Sequence, residues 1–184
     1  ETKMANLPEM SFGHIGINVT NMEPMVKFYT EILGFKLTDR GKGGGAEGAE
    51  LVFLSRDPEE HHQIVLVGVR PKGVPSTINQ ISFRVKNFAE VREGYNKVIG
   101  AGIKDIDPVD HGTALSIYFP DPEGNRIEIY MATPWYIKQP HRQLIDFSKS
   151  DEELLKACEE KCQSSPSFML IEDWKAKFLT SLPN

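Results

Sequence analysis

Six residues of this sequence carry side chains that could bind a metal ion or move a proton. They are His14, the adjacent pair His61–His62, Gln80, Tyr118 and Glu128. A histidine titrates near neutral pH, so it can act as an acid, a base or, when neutral, a metal ligand. Carboxylate and amide oxygens bind harder cations. Each residue also has an ordinary interpretation as a core side chain, an edge charge or part of a turn, so the choice depends on the elements that position them.

The chain contains two copies of one structural pattern. Residues 11–19 and 79–85 alternate apolar and polar side chains, which predicts a β-strand at the start of each copy. A segment with helical spacing of apolar residues follows each strand and ends in a glycine, Gly34 or Gly100, as a left-handed helix cap prefers. His14 and Gln80 thereby occupy matching positions, 66 residues apart.

Three further strands complete each copy. Residues 51–58 parallel residues 115–122 with an offset of 64, and residues 63–67 parallel residues 126–130 with an offset of 63. The smaller offsets indicate that the first copy has the longer loop, which we place in its glycine-rich segment at 41–46.

These repeats predict an α+β fold. Two tandem βαβββ modules, residues 10–72 and 78–134, are expected to form a curved mixed sheet around a cleft. Together they make up one domain, residues 10–137, and residues 138–184 form a C-terminal helical arm.

The arm is predicted to contain two helices. Ser150 begins the first, and Glu153 is spaced to complete a capping box with it. The second covers residues 170–180, with four apolar side chains expected to point inward: Ile171, Trp174, Phe178 and Leu179.

Composition narrows the functional classes. With 21 basic and 26 acidic residues the net charge is −5, which argues against a nucleic-acid-binding face. No apolar run approaches the roughly 20 residues that a membrane span needs. Glu1–Pro8 has no signal-peptide pattern, and Cys158 and Cys162 are too few for a disulfide scaffold. We therefore expect a cytoplasmic protein that binds neither nucleic acid nor membrane.

Two sequence signatures accompany the repeat. The first module opens with HIGINV at residues 14–19, and the second closes with DPEGNRIEIY at residues 121–130. Over residues 10–137 the chain resembles the vicinal oxygen chelate superfamily, which includes glyoxalase I, bleomycin and fosfomycin resistance proteins, methylmalonyl-CoA epimerase and extradiol ring-cleaving dioxygenases. The segment at 133–141 resembles the tail of small extradiol-dioxygenase-like proteins.

This resemblance implies a divalent metal in the cleft, held by equivalent strands of the two modules. The matching positions are His14, Gln80 and Glu128, whereas the remaining position of the first module is Val65. An extradiol enzyme would carry histidine in place of Gln80, giving two histidines and one carboxylate. Since glutamine is a ligand in some glyoxalase I enzymes, Gln80 is either a ligand or a hydrogen-bonding neighbour. The expected cofactor is Fe(II), with Mn(II) or no metal as the alternatives.

The resemblance also implies two catalytic groups. His62 matches the histidine that moves protons near the substrate hydroxyl, and Tyr118 matches the tyrosine that hydrogen-bonds a metal-bound substrate oxygen. The alternatives are an exposed turn for His62 and a core position for Tyr118. His111 either lines the mouth of the cleft or belongs to a turn, and His141 is a candidate to close over the site.

Three functions remain open at this point. The first is an extradiol-type dioxygenase acting on a small catechol-like aromatic. The second is an isomerase, epimerase or lyase that stabilises an enediolate, and the third is a metal-free protein that binds a small aromatic or polar molecule. The aromatic residues Trp135, Tyr136 and Trp174 look exposed and favour a homodimer over a monomer.

Overall fold

The computed structural model describes residues 10–43 and 48–181, which fall into two compact units on either side of the Pro75–Ser76 bond. Each unit contains one copy of the βαβββ pattern, and the second unit also contains the C-terminal arm. The α+β prediction is confirmed. Of the glycine-rich segment, Gly41 and Lys42 end a strand rather than forming a loop, and residues 44–47 lie outside the described ranges.

The first module forms one helical segment and a four-stranded mixed sheet. Its elements are β1 (Ile15–Asn18), α1 (Met22–Lys27) with a π-helical continuation (Phe28–Ile32), β2 (Lys36–Lys42), β3 (Glu50–Ser55) and β4 (Ile64–Val67). The sheet has the order β1-β4-β3-β2, with β1 parallel to β4. Buried apolar residues of β1, β3 and β4 share a core with buried side chains of the helix, whereas every residue of β2 is exposed.

The second module repeats this topology. The elements of the module are β5 (Gln80–Arg84), α2 (Phe88–Gly100), β6 (Asp107–Asp110), β7 (Ala114–Pro120) and β8 (Arg126–Ala132). A further edge strand, β10 (Gln143–Leu144), comes from the arm. The sheet has the order β10-β6-β7-β8-β5, with β5 parallel to β8.

The two faces of the second sheet differ in polarity. Helix α2 packs on the apolar face so closely that a Cβ on Gly94 would lie 3.2 Å from Ile129 Cδ1 and 3.6 Å from Ile117 Cδ1. The opposite face carries Ser82 and Glu128, which are cross-strand partners. Because successive strand residues alternate between faces, the period-two pattern that predicted these strands also selects the side chains of the polar face.

The strand register corrects the alignment of the two modules at one place. Val65 of β4 occupies the position that Glu128 holds in β8, as the repeat predicted. Phe53 is the cross-strand partner of Val65, and Tyr118 is the partner of Glu128. Phe53 is therefore the counterpart of Tyr118, and the offset of 64, which would have aligned Leu54 with Tyr118, is wrong by one residue. Such a slip moves a strand's side chains to the opposite face.

Of the two glycines predicted to cap helix C-termini, one is confirmed and the other is replaced by a later glycine. Gly34 has a φ of 73° and follows the π-helical segment as expected. Gly100 is instead the last helical residue of α2, and the left-handed position is Gly102, with a φ of 74°. The amide of Gly102 donates to the carbonyl of Ile99, and the next amide donates to the carbonyl of Val98. This pair of bonds is a Schellman motif.

The arm contains both predicted helices. Ser150 Oγ accepts from the amide of Glu153, whose carboxylate accepts from the Ser150 amide, so the capping box is confirmed. Strand β9 (Trp135–Tyr136) lies just before the arm. The elements of the arm are β10 (Gln143–Leu144), α3 (Asp151–Ser164), β11 (Met169–Leu170) and α4 (Ile171–Ser181). Strand β10 extends the second sheet and β11 pairs with β9.

One arginine of α2 anchors the start of the arm. Arg92 Nε donates to Asp151 at 2.5 Å, and its two terminal nitrogens donate to the carbonyls of Phe147 and Lys149 at 2.8 and 2.7 Å. The Phe147 ring stacks on Tyr95 with centroids 4.1 Å apart. The arm therefore packs on the second module.

Helix α4 departs from its predicted orientation. Phe178 and Leu179, expected to point inward, are 48% and 66% exposed. Trp174 of the helix stacks on Tyr136 of β9. Trp135, expected to be exposed, is buried, which removes one of the three aromatics that favoured a dimer. Neither α4 nor any other helix of the described ranges has the length and apolar content to span a membrane.

Candidate functional site

Glu128 is the centre of a hydrogen-bonded cluster on the polar face of the second sheet. Its side chain is buried, at 6% exposure. One carboxylate oxygen accepts from Ser116 Oγ at 2.7 Å, and the other accepts from Ser82 Oγ at 2.5 Å and from Gln80 Nε2 at 3.4 Å. A carboxylate held at both oxygens has a fixed orientation, and these bonds offset the cost of burying it.

Strand geometry brings these residues together. Gln80 and Ser82 are two apart on β5 and share a face, as do Ser116 and Tyr118 on β7. Glu128 lies on β8 between these two strands. The sequence prediction included Gln80, Tyr118 and Glu128 but missed both serines. The available signal was their spacing, since each serine lies two residues from a predicted site residue on the same strand.

Tyr118 and His111 form a hydrogen-bond chain beside this cluster. His111 Nδ1 lies 2.8 Å from the carbonyl oxygen of His141, and its Nε2 lies 2.9 Å from the Tyr118 hydroxyl. A carbonyl only accepts, so Nδ1 carries the proton, and in the neutral ring Nε2 is then the acceptor. The Tyr118 hydroxyl therefore donates to His111, which belongs to the site rather than only to a turn. His141 contributes through its backbone.

The Tyr118 phenol is held in its protonated form. Burial is the largest cause that raises its pKa far above the ordinary tyrosine value, and the facing Glu128 carboxylate raises the pKa further. The hydrogen bond to Ser116 and the charge of Arg126 act in the opposite direction but are smaller. The Arg126 guanidinium lies over the phenol ring, 3.8 Å from its centroid. Tyr118 is therefore a proton donor over the whole physiological range.

Because its pKa is raised, Tyr118 should stay protonated near pH 10 when the protein is titrated with alkali. The ultraviolet phenolate absorbance of Tyr118→Phe should match that of the wild type up to about pH 10, the ordinary tyrosine value. The folded chain holds this proton more tightly than the unfolded chain, so its contribution to stability is present below about pH 10 and is lost as the pH rises towards the folded-state pKa. Loss of one phenolate's absorbance near pH 10 in the variant would contradict the assignment.

Three histidines form a second cluster, which lies entirely within the first module. His14, predicted inside the first strand, directly precedes β1 and is exposed. Its ring centroid is 4.4 Å from that of His62, which also packs edge-on against Phe53 at 5.2 Å. His61 Nδ1 lies 2.9 Å from His62 Nδ1. The structure thus brings together the predicted ligand His14 and the predicted acid/base His62.

His62 is disposed to be neutral near physiological pH. Burial is the first cause that lowers its pKa, followed by the charges of His14 and His61, while Glu60 acts in the opposite direction. A neutral imidazole has one basic nitrogen, which is what a proton acceptor or a metal ligand requires.

The donor atoms of the second module fit a hard divalent cation. The Gln80 amide lies beside the Glu128 carboxylate and turns its nitrogen towards it, 3.4 Å from the nearer oxygen. Amide and carboxylate oxygens are donors that suit Mn(II) and are compatible with Fe(II). Ser82 and Ser116 are placed to orient the carboxylate, as outer hydrogen-bond partners of metal ligands do. His14, the third predicted ligand, belongs to the first module. Within residues 10–43 and 48–181 no three His, Cys, Asp or Glu side chains are spaced to hold a metal by themselves.

The chain resembles known proteins in family, sequence and fold. Residues 11–129 match the family described as the Glyoxalase/Bleomycin resistance protein/Dioxygenase superfamily. A crystal structure of a glyoxylase/bleomycin resistance protein/dioxygenase domain from Frankia sp. EAN1pec shares the fold, with a TM-score of 0.56 and 19% identity over 74% of this chain and 96% of that one.

Two kinds of enzyme occur among the similar sequences. Biphenyl-2,3-diol 1,2-dioxygenase 3 of Rhodococcus globerulus is 28% identical over 130 residues, 66% of this chain and 64% of the dioxygenase. Lactoylglutathione lyase of Salmonella typhimurium is 26% identical over 123 residues, 65% of this chain and 90% of the lyase. The matched region thus spans less than two thirds of the dioxygenase's own length.

Proposed function

Because the chain belongs to the Glyoxalase/Bleomycin resistance protein/Dioxygenase superfamily, we propose that it is a metal-dependent, extradiol-type dioxygenase that acts on a small catechol-like aromatic. The observation that carries this proposal is the Tyr118–His111 hydrogen bond beside Glu128. It supplies a fixed phenol and a fixed base next to the carboxylate expected to hold a metal.

The protein's own groups provide a route for a substrate proton. A catechol hydroxyl that donates to Tyr118 Oη can pass its proton to the tyrosine as the Tyr118 proton moves to His111 Nε2. His111 then becomes an imidazolium whose Nδ1–H still donates to the His141 carbonyl. One proton leaves the substrate and one arrives at His111, so Tyr118 is unchanged.

Gln80, Glu128 and His14 are the residues proposed to hold the ion, and we propose Fe(II) for its identity. When bound, such an ion acts as a Lewis acid that lowers the pKa of a ligated hydroxyl and orients the substrate. Ser82 and Ser116 keep the carboxylate in one orientation. His62, neutral because of its lowered pKa, is proposed as the second acid/base group.

A lyase or isomerase is the second candidate, and Gln80 favours it. Proton abstraction next to a carbonyl needs one base and electrostatic stabilisation of the resulting oxyanion, and it does not need two imidazole ligands. Lactoylglutathione lyase is also matched over 90% of its length. A metal-free binding protein is the third candidate, since the two serine hydroxyls and the Gln80 amide satisfy Glu128 without a cation.

Parallel assays on one preparation test the proposal. Protein purified without chelator is analysed for metal and then assayed for oxygen uptake with catechol and biphenyl-2,3-diol, and for lactoylglutathione formation under argon. We expect Fe(II)-dependent oxygen uptake that falls about a hundredfold or more in Tyr118→Phe. Gln80→His, which completes two histidines and a carboxylate, should retain iron more tightly. Lactoylglutathione formation without oxygen uptake would overturn the proposal in favour of a lyase, and ligand binding without metal in favour of a binding protein.

A further inference from the structure

The geometry points to Asp39 and His61 as positioning residues that fix the tautomer of His62. The inference rests on the proposed role of His62 as an acid/base group. Asp39, His61 and His62 form a continuous chain of hydrogen bonds: His61 Nε2 lies 2.8 Å from Asp39 Oδ2, and His61 Nδ1 lies 2.9 Å from His62 Nδ1. All three belong to the first module.

The hydrogen-bond rules allow only one arrangement when both rings are neutral. A carboxylate accepts and cannot donate, so His61 Nε2 must carry a hydrogen. The neutral His61 ring then has its lone pair at Nδ1, which accepts from His62 Nδ1–H. His62 is left with its lone pair at Nε2. Asp39 thereby determines, through His61, that Nε2 is the unprotonated nitrogen of His62.

An irregularity in β2 creates this contact. Leu37 pairs with Leu54, but the next paired residue is Asp39, which lies opposite Phe53. The bulge at Thr38 shifts the register by one residue. Without it Thr38 would face Phe53, and Asp39 would point to the other side of the sheet. Re-aiming one side chain is a recurrent effect of β-bulges near functional sites.

Nuclear magnetic resonance of the nitrogen-labelled full chain tests the assignment, at a pH where its histidines are neutral. Long-range proton–nitrogen correlations distinguish a ring protonated at Nδ1 from one protonated at Nε2. In the wild type we expect the Nδ1–H form for His62 and the Nε2–H form for His61. In His61→Phe, His62 loses its acceptor and should change to the Nε2–H form that free imidazole prefers. Asp39→Ala should redistribute the His61 tautomers.

Glu60→Gln is the matched control. It removes a charge that acts on His62 without removing a hydrogen bond of the chain, so both tautomers should stay as in the wild type. Finding His62 as Nε2–H in the wild type, or as Nδ1–H in His61→Phe, would overturn the inference. The spectra need no substrate, so they separate this inference from the proposed function. If the enzyme is active, His61→Phe should lower kcat about a hundredfold with little change in KM.

Discussion

Replacing Glu128 by glutamine is expected to abolish retention of a divalent metal and to lower kcat/KM by about 10³-fold, the equivalent of the several kcal/mol that a Lewis acid supplies. The substitution keeps the size of the side chain but removes the negative charge. It also turns one acceptor oxygen, which takes a hydrogen bond from Ser82 or Ser116, into a donor. Elemental analysis and steady-state kinetics on the same preparation measure both effects.

Two further variants isolate the role of the carboxylate. Glu93→Gln changes an exposed glutamate of α2 and should leave metal content and rate unchanged. Ser116→Ala keeps the carboxylate but frees one of its oxygens, and its metal affinity should fall by about 10- to 100-fold, as for other partners of a metal ligand. A Glu128→Gln protein that retained its metal would refute Glu128 as a ligand.

The largest effect on stability is expected for Gly112→Ala, about 2–5 kcal/mol of unfolding free energy. Gly112 has a φ of 74°, where a Cβ costs about 1–2 kcal/mol. That Cβ would also lie 2.4 Å from Ile137 Cδ1 and 3.2 Å from Cys162 Sγ. Both side chains are buried, and forcing extra volume into a packed core adds about 1–3 kcal/mol. Urea unfolding monitored by circular dichroism measures the sum.

Gly124→Ala is the matched control for backbone strain. Its φ is 81°, but a Cβ there would meet no atom within 4 Å, so it should lose only the backbone contribution of about 1–2 kcal/mol. Ile137→Ala removes the atoms that the new methyl group would strike, and the double variant with Gly112→Ala should show a coupling of about 0.5–3 kcal/mol. Equal losses for the two glycines would contradict the steric argument.

The effect at Gly112 should also reach the candidate site. Its amide donates to Asp110 Oδ1 at 2.6 Å, and its carbonyl accepts from Thr133 Oγ1 at 2.5 Å. His111 precedes it in the chain. A displaced Gly112 therefore disturbs the bond between His111 and Tyr118, and Tyr118 should ionise more easily in Gly112→Ala than in Gly124→Ala.

The parts of this fold that follow from local periodicity could be predicted from the sequence. Alternation along β5, β7 and β8 placed Gln80, Tyr118 and Glu128 on strands, and the two-fold repeat predicted their order. The capping box at Ser150 was also predictable, because its partner lies only three residues away. Each of these features depends either on the spacing of residues within one element or on the comparison of the two modules.

Features that depend on contacts between residues of different elements could not be predicted in this way. The His111–Tyr118 bond needs the turn between β6 and β7, and its other end needs a carbonyl from the arm. The contact of Asp39 with His61 needs a bulge at Thr38. No residue type in β2 predicts this bulge, because threonine is an ordinary strand residue. The exposure of Phe178 likewise depends on what lies beside α4, because apolar spacing alone cannot say whether a face is covered.

The register of the two sheets has a consequence for where the chemistry of this fold can reside. At the same two adjacent positions, the first module carries Phe53 and Val65, and the second carries Tyr118 and Glu128. A hydroxyl and a carboxylate thus distinguish two modules that share one topology. Because both pairs keep the alternation that fixes the strands, the same backbone accepts either an apolar or a polar pair at these positions. One scaffold can therefore differ in chemistry between its halves without a change of fold.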